Sequence, residues 1–167
     1  MKPIIALSLA LLLAGCASFN GSGLVPGKST AAEAEKLMGR PDQALKLANG
    51  DSALYFSRLP YGRTMYVVTA GADGVMKSIE QRMQYAYFAR LVVNSSTKTQ
   101  VGELLGPPGK AGRFERQQRD WWEYRYRQDM DYRVVWVQFS DDGVVREVYD
   151  VLDPDEERKK DGMGTFN

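Results

Sequence analysis

Apolar and polar positions follow two different periods along this chain, and the same succession of periods occurs twice. Between Ser29 and Pro41, the residues Ala34, Leu37 and Met38 fall on one face of a helix; between Ser96 and Pro108, Val101, Leu104 and Leu105 do the same. Each stretch opens on a capping box, Thr30-x-x-Glu33 or Thr97-x-x-Gln100, in which the threonine caps a backbone N–H and the acidic or amide side chain reaches back. Each closes on a glycine, Gly39 or Gly106, suited to the left-handed C′ position, with proline soon after. The pattern predicts helices over Ala31–Met38 and Lys98–Leu105, at an offset of 67 residues.

The period then shortens to that of a strand. Carried on at 67, the offset sets Leu54-Tyr55 opposite Trp121-Trp122. In the second copy Trp122, Tyr124 and Tyr126 point one way while Glu123, Arg125 and Arg127 point the other, which is a half-buried strand. A turn at 128–131, a strand over Tyr132–Phe139, an Asp141-Asp142-Gly143 hairpin turn and a strand over Val144–Val151 follow. The first copy has the same order: a strand near Ala53–Arg58, a Pro60-Tyr61-Gly62 turn, a strand over Thr64–Ala70, a turn at Asp73-Gly74 and a strand over Val75–Arg82. The Asp-Gly turns are 69 apart, so the second copy has gained two residues. The joining segment Gln84–Leu91, with Tyr85, Phe88 and Leu91, reads as the first helix of the second copy. The expected fold is α+β: tandem repeats at 26–83 and 84–152, each with short helices packed on a three-stranded antiparallel meander, the sheets adjacent or continuous.

The two ends are of another kind. After Lys2, the run Ile4 to Leu13 is apolar but for Ser8, long enough for a signal-peptide core and too short to span a bilayer. It leads into Leu13-Ala14-Gly15-Cys16, which holds the sole cysteine and resembles the lipobox of bacterial lipoproteins. That resemblance implies a signal peptide at 1–15, cleavage before Cys16, and a diacylglyceryl group on the Cys16 sulfur with further acylation of its new amino group, such as by palmitate. Two or more chains anchor stably where one does not. Ala17 rather than Asp after the cysteine favours the outer membrane, with the protein facing the periplasm. Within the lipidated stretch 16–25, Asn20-Gly21-Ser22-Gly23 reads as a flexible tether. The charged segment 153–167, from Asp153-Pro154-Asp155-Glu156 onward, reads as a disordered tail.

Composition narrows the chemistry. A single cysteine excludes internal disulfides, and the absence of histidine removes the commonest general base and metal ligand. Ser-His-Asp and Cys-His catalysis and His/Cys zinc sites are excluded with it. Paired carboxylates could still do acid–base work, but no pair stands out. No enzyme, cofactor or metal is expected. Loss of residues 1–15 removes one charge, Lys2, leaving 21 basic against 21 acidic residues, which argues against nucleic acid as a partner.

The stretch Thr97-x-x-x-Val101-x-x-Leu104-Leu105-Gly106-x-Pro108, followed by an aromatic strand and an Asp-Gly hairpin and preceded by Phe88-Ala89-Arg90-Leu91, resembles the SmpA/OmlA/BamE-like family of outer-membrane lipoproteins. The first copy departs from the pattern, with Ala34 in place of valine. Tandem copies are also similar to the β-lactamase inhibitory protein fold. The resemblance implies an envelope protein partner, the barrel-assembly machinery among the candidates, reached by protein–protein contact in outer-membrane protein assembly or envelope integrity. The alternative is a periplasmic enzyme inhibitor or ligand-binding module using the aromatic sheet face. Trp, Tyr and Arg concentrate in binding hot spots, and the candidate interface is Trp121, Arg125, Arg127, Tyr126 and Trp136, with Cys16 as the lipidation site. A large aromatic such as Trp121 on the charged side of its strand calls for an explanation, and an interaction surface supplies one. The competing reading is a mixed-charge, solvated sheet surface over an ordinary core.

Overall fold

The computed structural model describes residues 19–163, with side chains through Lys159. Cys16 and the signal segment 1–15 lie outside the described residues. In chain order the elements are α1 (Ala31–Met38), β1 (Gln43–Lys46), β2 (Ser52–Ser57), β3 (Met65–Ala70), β4 (Met76–Gln81), α2 (Tyr85–Phe88), α3 (Lys98–Leu105), β5 (Lys110–Phe114), β6 (Arg119–Gln128), β7 (Asp131–Phe139), β8 (Val145–Leu152) and α4 (Pro154–Met163). They form two separate antiparallel sheets, β1-β2-β3-β4 and β5-β6-β7-β8.

Helices α1 and α3 have the bounds the periodicity predicts, and both capping boxes are closed on both sides. Each capping threonine also bridges the backbone beyond the Asp-Gly hairpin, Thr30 to Val75 and Thr97 to Val144, so the helix entry lies along the edge of the last strand. The closing glycines differ from expectation. Gly39 and Gly106 have φ of 93° and 78° but ψ near −170°. That is an extended backbone open essentially to glycine alone, not the left-handed helical cap. The segment after Gln84 contributes only the single turn of α2.

Each sheet has four strands rather than the predicted three. The additional strands β1 and β5 are short edge strands, with burial alternating weakly in β1 and nearly absent in β5. They also correct the alignment of the repeats. Gln43 pairs with Tyr55 and Lys110 with Glu123; Phe56 pairs with Tyr66 and Tyr124 with Val135. The offset is therefore 67 in the first strands, 68 in the second and 69 in the third. Leu54, not Tyr55, is the counterpart of Trp122. One residue of slip exchanges the faces of a strand, so this decides which side chains are equivalent.

With that register the packing is the same in both repeats. Leu54, Phe56, Val68 and Met76 cover Ala34 and Met38 of α1. Their counterparts Trp122, Tyr124, Val137 and Val145 pack with Val101 and Leu105 of α3. The other face of the first sheet, Ala53, Tyr55, Met65 and Val67, joins that same second cluster. Sheet one is therefore buried on both faces, between α1 and α3, and the two repeats share a core.

The C-terminal end of α3 is fixed from both sides. Tyr55 Oη donates to the Glu103 carbonyl (2.7 Å). Arg82 Nη1 donates to the Glu103 and Leu104 carbonyls (2.9 and 3.0 Å), and Tyr124 Oη donates to Gly106 O (2.9 Å). Carbonyls at a helix C-terminus have no partner within the helix and carry partial negative charge; here a guanidinium and two phenols supply the donors. Burial pushes the pKa of Tyr55 up, and that of Tyr124 well up, so both remain protonated donors. Between the tyrosines sits Gly106, where a Cβ would stand 2.6 Å from Tyr55 Cδ1 and 3.2 Å from Met65 Cε.

Two elements of the chain ends are ordered where mobility was expected. The tether Asn20–Gly23 is docked: Gly21 is buried against Ile79, Phe19 and Leu24 join the α1 cluster, and Gly27 N donates to Met76 O (2.8 Å). The first part of the expected tail is α4, whose capping residue Asp153 is 1 % exposed.

Gly106→Ala is expected to lower unfolding free energy by about 2–5 kcal/mol, adding backbone strain to overpacking against Tyr55 and Met65. Gly39→Ala, with open space at its Cβ, should cost only the strain, about 1–3 kcal/mol. Urea titration of the two variants tests the difference, and equal losses would refute the wedge.

Candidate interface on the outer face of the second sheet

The face of β6 opposite α3 carries Arg119, Trp121, Glu123, Arg125 and Arg127. Register places Gln138, Trp136, Val134 and Tyr132 of β7 beside the last four, then Glu147, Tyr149 and Val151 of β8 beyond Gln138, Trp136 and Val134. On the other flank Lys110 pairs with Glu123, Gly112 with Trp121 and Phe114 with Arg119. The predicted residues Trp121, Arg125, Arg127 and Trp136 thus share one face.

Tyr126 does not belong with them. It is fully buried on the inner face, 5.0 Å centroid to centroid from Phe88, with its hydroxyl donating to Asp150 Oδ2 (2.7 Å). Burial, with the Asp150 carboxylate beside it, raises its pKa. It is a core residue with a satisfied polar end.

Trp121 has a structural task. Its indole lies across Gly112 of the edge strand, where a Cβ would meet Cζ2 at 2.5 Å, and its centroid is 6.0 Å from that of Phe114. A flat aromatic laid over an edge glycine covers backbone that glycine leaves bare. Trp136, half-buried, donates its indole N–H to Glu123 Oε2 (3.0 Å). The other Glu123 oxygen accepts from Arg125 Nε (2.9 Å), and Lys110 stands 3.7 Å from it. Arg127 is exposed, its Nε donating to the Asp129 carbonyl (2.8 Å).

Arg125 is the hub of a charge network that periodicity does not reveal. Beyond Glu123 it reaches Asp153 (3.3 Å) and Asp155 (2.7 Å). Burial works against its charge, but hydrogen bonds to Asp155 and Glu123 outweigh that and hold its pKa above the usual value. Arg63, from the turn between β2 and β3, bonds the same Asp153 (2.8 Å) and Glu156 (3.0 Å), and its guanidinium lies 4.3 Å from the centre of the Tyr132 ring. Asp153 in turn caps α4, accepting the Asp155 N–H at Oδ1 (3.0 Å). The acidic start of α4 therefore rests on two arginines, one from each repeat.

What remains open is a band of side chains around this network: Phe114 (43 % exposed), Tyr149 (46 %) and Val151 (39 %), with the half-buried Trp121 and Trp136 among them. The alternation of β8 does not reveal Tyr149 and Val151: it groups them with the core residue Val145, and a register shift after Val145 turns them outward; Phe114 has no signal either.

No protein-family model and no curated protein matches the chain. Among solved structures, it is similar to a DUF4309 family protein (YjgB) from Bacillus subtilis subsp. subtilis str. 168, at 16 % identity over 79 % of this chain and 84 % of that one, with a TM-score of 0.31. A likeness at that level carries no inference about function.

The hold on α4 is expected to depend on pH and salt. Hydrogen bonds from Arg125 keep the Asp155 carboxyl below its ordinary value of 3.8, and Lys159 and then Arg63 keep Glu156 below 4.5. Carboxylates with lowered folded values stabilise fully above their unfolded values and lose that stabilisation as pH falls through the lowered ones. Hydrogen exchange at 155–157, corrected for intrinsic rate, should accelerate as pH drops from about 4.5 downward, and also near neutral pH at about 1 M salt, where the screening length falls to about 3 Å. Protection unchanged in both conditions would show that ion pairs do not hold α4.

Proposed function

We propose that this protein is a lipoprotein anchored to the outer membrane through Cys16, facing the periplasm, and acting by protein–protein contact in outer-membrane protein assembly or envelope integrity. Its partner surface is the outer face of the second sheet. One observation carries this. Trp121, Glu123, Val134 and Trp136 are the positional counterparts of Ala53, Tyr55, Met65 and Val67, the residues through which the first sheet packs into the shared core. In the first repeat this face is covered by α3. In the second, among the described residues, no helix packs across it as α3 does in the first, and α4 engages it at the Arg125 end. A face built at interface positions, with aromatic side chains half exposed and most of its charges already paired, is suited to another protein more than to a small ligand.

Crosslinking and pull-down from intact envelopes test this with wild type, Cys16→Ser and the double variant Phe114→Ser/Tyr149→Ser. The two exposed positions are changed because they leave the core intact. Palmitate should label wild type and not Cys16→Ser. Barrel-assembly components should be recovered with wild type and reduced several-fold in both variants. Recovery of one soluble periplasmic enzyme, equal with and without the lipid, would replace this function with the inhibitor reading.

A further inference from the structure

The ordered residues after Cys16 fix which part of the molecule meets the membrane. Phe19 packs edge-on against Tyr66, with ring centroids 6.0 Å apart at 82°, and the Arg58 guanidinium lies 3.8 Å above its ring. Arg58 and Tyr66 belong to the base of the β2–β3 hairpin, closed there by Arg58 N donating to Thr64 O (3.0 Å). The chain then continues along the first sheet, with Gly21 buried against Ile79 and Gly27 bonded to Met76. Only three residue steps separate Phe19 from Cys16. Fully extended they reach at most about 11 Å, so acyl chains on Cys16 hold the base of this hairpin close to the headgroups.

The same end carries the most exposed large apolar side chains among the described residues, Tyr61 at 94 % and Met130 at 81 %. They occupy the tips of corresponding hairpins, β2–β3 and β6–β7. Arg63, stacked on Tyr132 and bonded to Asp153, ties the two hairpins together. Arg58 and Arg127 are balanced by the exposed Asp129 and Asp131, so the end has apolar tips without a net basic patch. Tyrosine is suited to the membrane–water interface.

We propose that a lipid surface is the partner of this end: the Phe19 clamp holds the tips of the β2–β3 and β6–β7 hairpins, Tyr61 and Met130, in the headgroup layer. The outer face of the second sheet is thereby presented at a fixed orientation to proteins beside it. This rests on the lipid-anchor reading of Cys16, but its test does not.

Cys16 is the sole thiol, so the chain from Cys16 onward, which retains every described residue, couples chemically to phosphatidylcholine vesicles bearing a maleimide lipid. Tyr61→Trp, Met130→Trp and, in the exposed β3–β4 turn at the other end of the sheet, Ala72→Trp each add one tryptophan to the constant background of the parent protein. A lipid with a nitroxide on its headgroup should quench the added emission at 61 and 130 several-fold more than at 72. Inserting a flexible Gly-Ser stretch of about 12 residues before Phe19, which spans roughly 20 Å, should level the three. Equal quenching at all sites without the insert, or strongest quenching at 72, overturns the proposal; an unchanged pattern with the insert overturns the role of the clamp. Because coupling is chemical, these results are independent of whether cells acylate Cys16, which palmitate labelling reads separately.

Discussion

The fold depends on how closely two sheets can approach the end of one helix. At Gly106 the chain leaves α3 with a backbone conformation open essentially to glycine, Tyr55 of the first sheet touches it from one side, and Tyr124 of the second bonds its carbonyl from the other. The carbonyls just before it are taken by Tyr55 and Arg82 of the first repeat. A side chain there would push the sheets apart and open the cluster that joins Phe88, Val101, Leu105 and the inner faces of both. The repeats are therefore not two domains on a string. The helix of the second is the floor on which the first sheet closes, and its exposed polar ends find partners across the repeat boundary.

That shared core separates structural from available aromatics. Tyr55, Tyr124 and Tyr126 are consumed by the interior, and Trp121 is engaged over Gly112. The arginines are engaged as well: Arg63 and Arg125 hold the start of α4, and Arg82 caps α3. The half-exposed band beside them is the surface proposed for a partner. It stands on a rigid four-stranded sheet, which limits the ordering entropy lost on association.

The parts written into local sequence were legible, but for the conformation of the closing glycines Gly39 and Gly106. Both capping boxes and the 3.6-residue spacing defined α1 and α3 to the residue, and the Asp-Gly turns located the hairpins between β3 and β4 and between β7 and β8. What was hidden is settled by tertiary contact. Strands β1 and β5 are short, with little apolar alternation, and exist because β2 and β6 offer them a free edge. The one-residue slip between repeats arises in the connection between β5 and β6, where neither copy has a marker. Alternation did place Tyr126 with Trp122 and Tyr124, on the side that proves to be the core; grouping it with the interface followed residue type rather than parity. The order of α4 was invisible because its support is not apolar: charged residues read as solvated until Arg63 and Arg125, far away in sequence, are seen beneath them.

The two repeats can also be viewed as neighbouring units of a stack. In stacked architectures each unit keeps the shape of its neighbours while the side chains on its surfaces vary. Here Tyr55 gives way to Glu123 and Val67 to Trp136, and an indole N–H and a guanidinium satisfy the new carboxylate. The second repeat thus keeps the strand register of the first while a carboxylate, satisfied by its own sheet, stands at a position that in the first serves apolar packing.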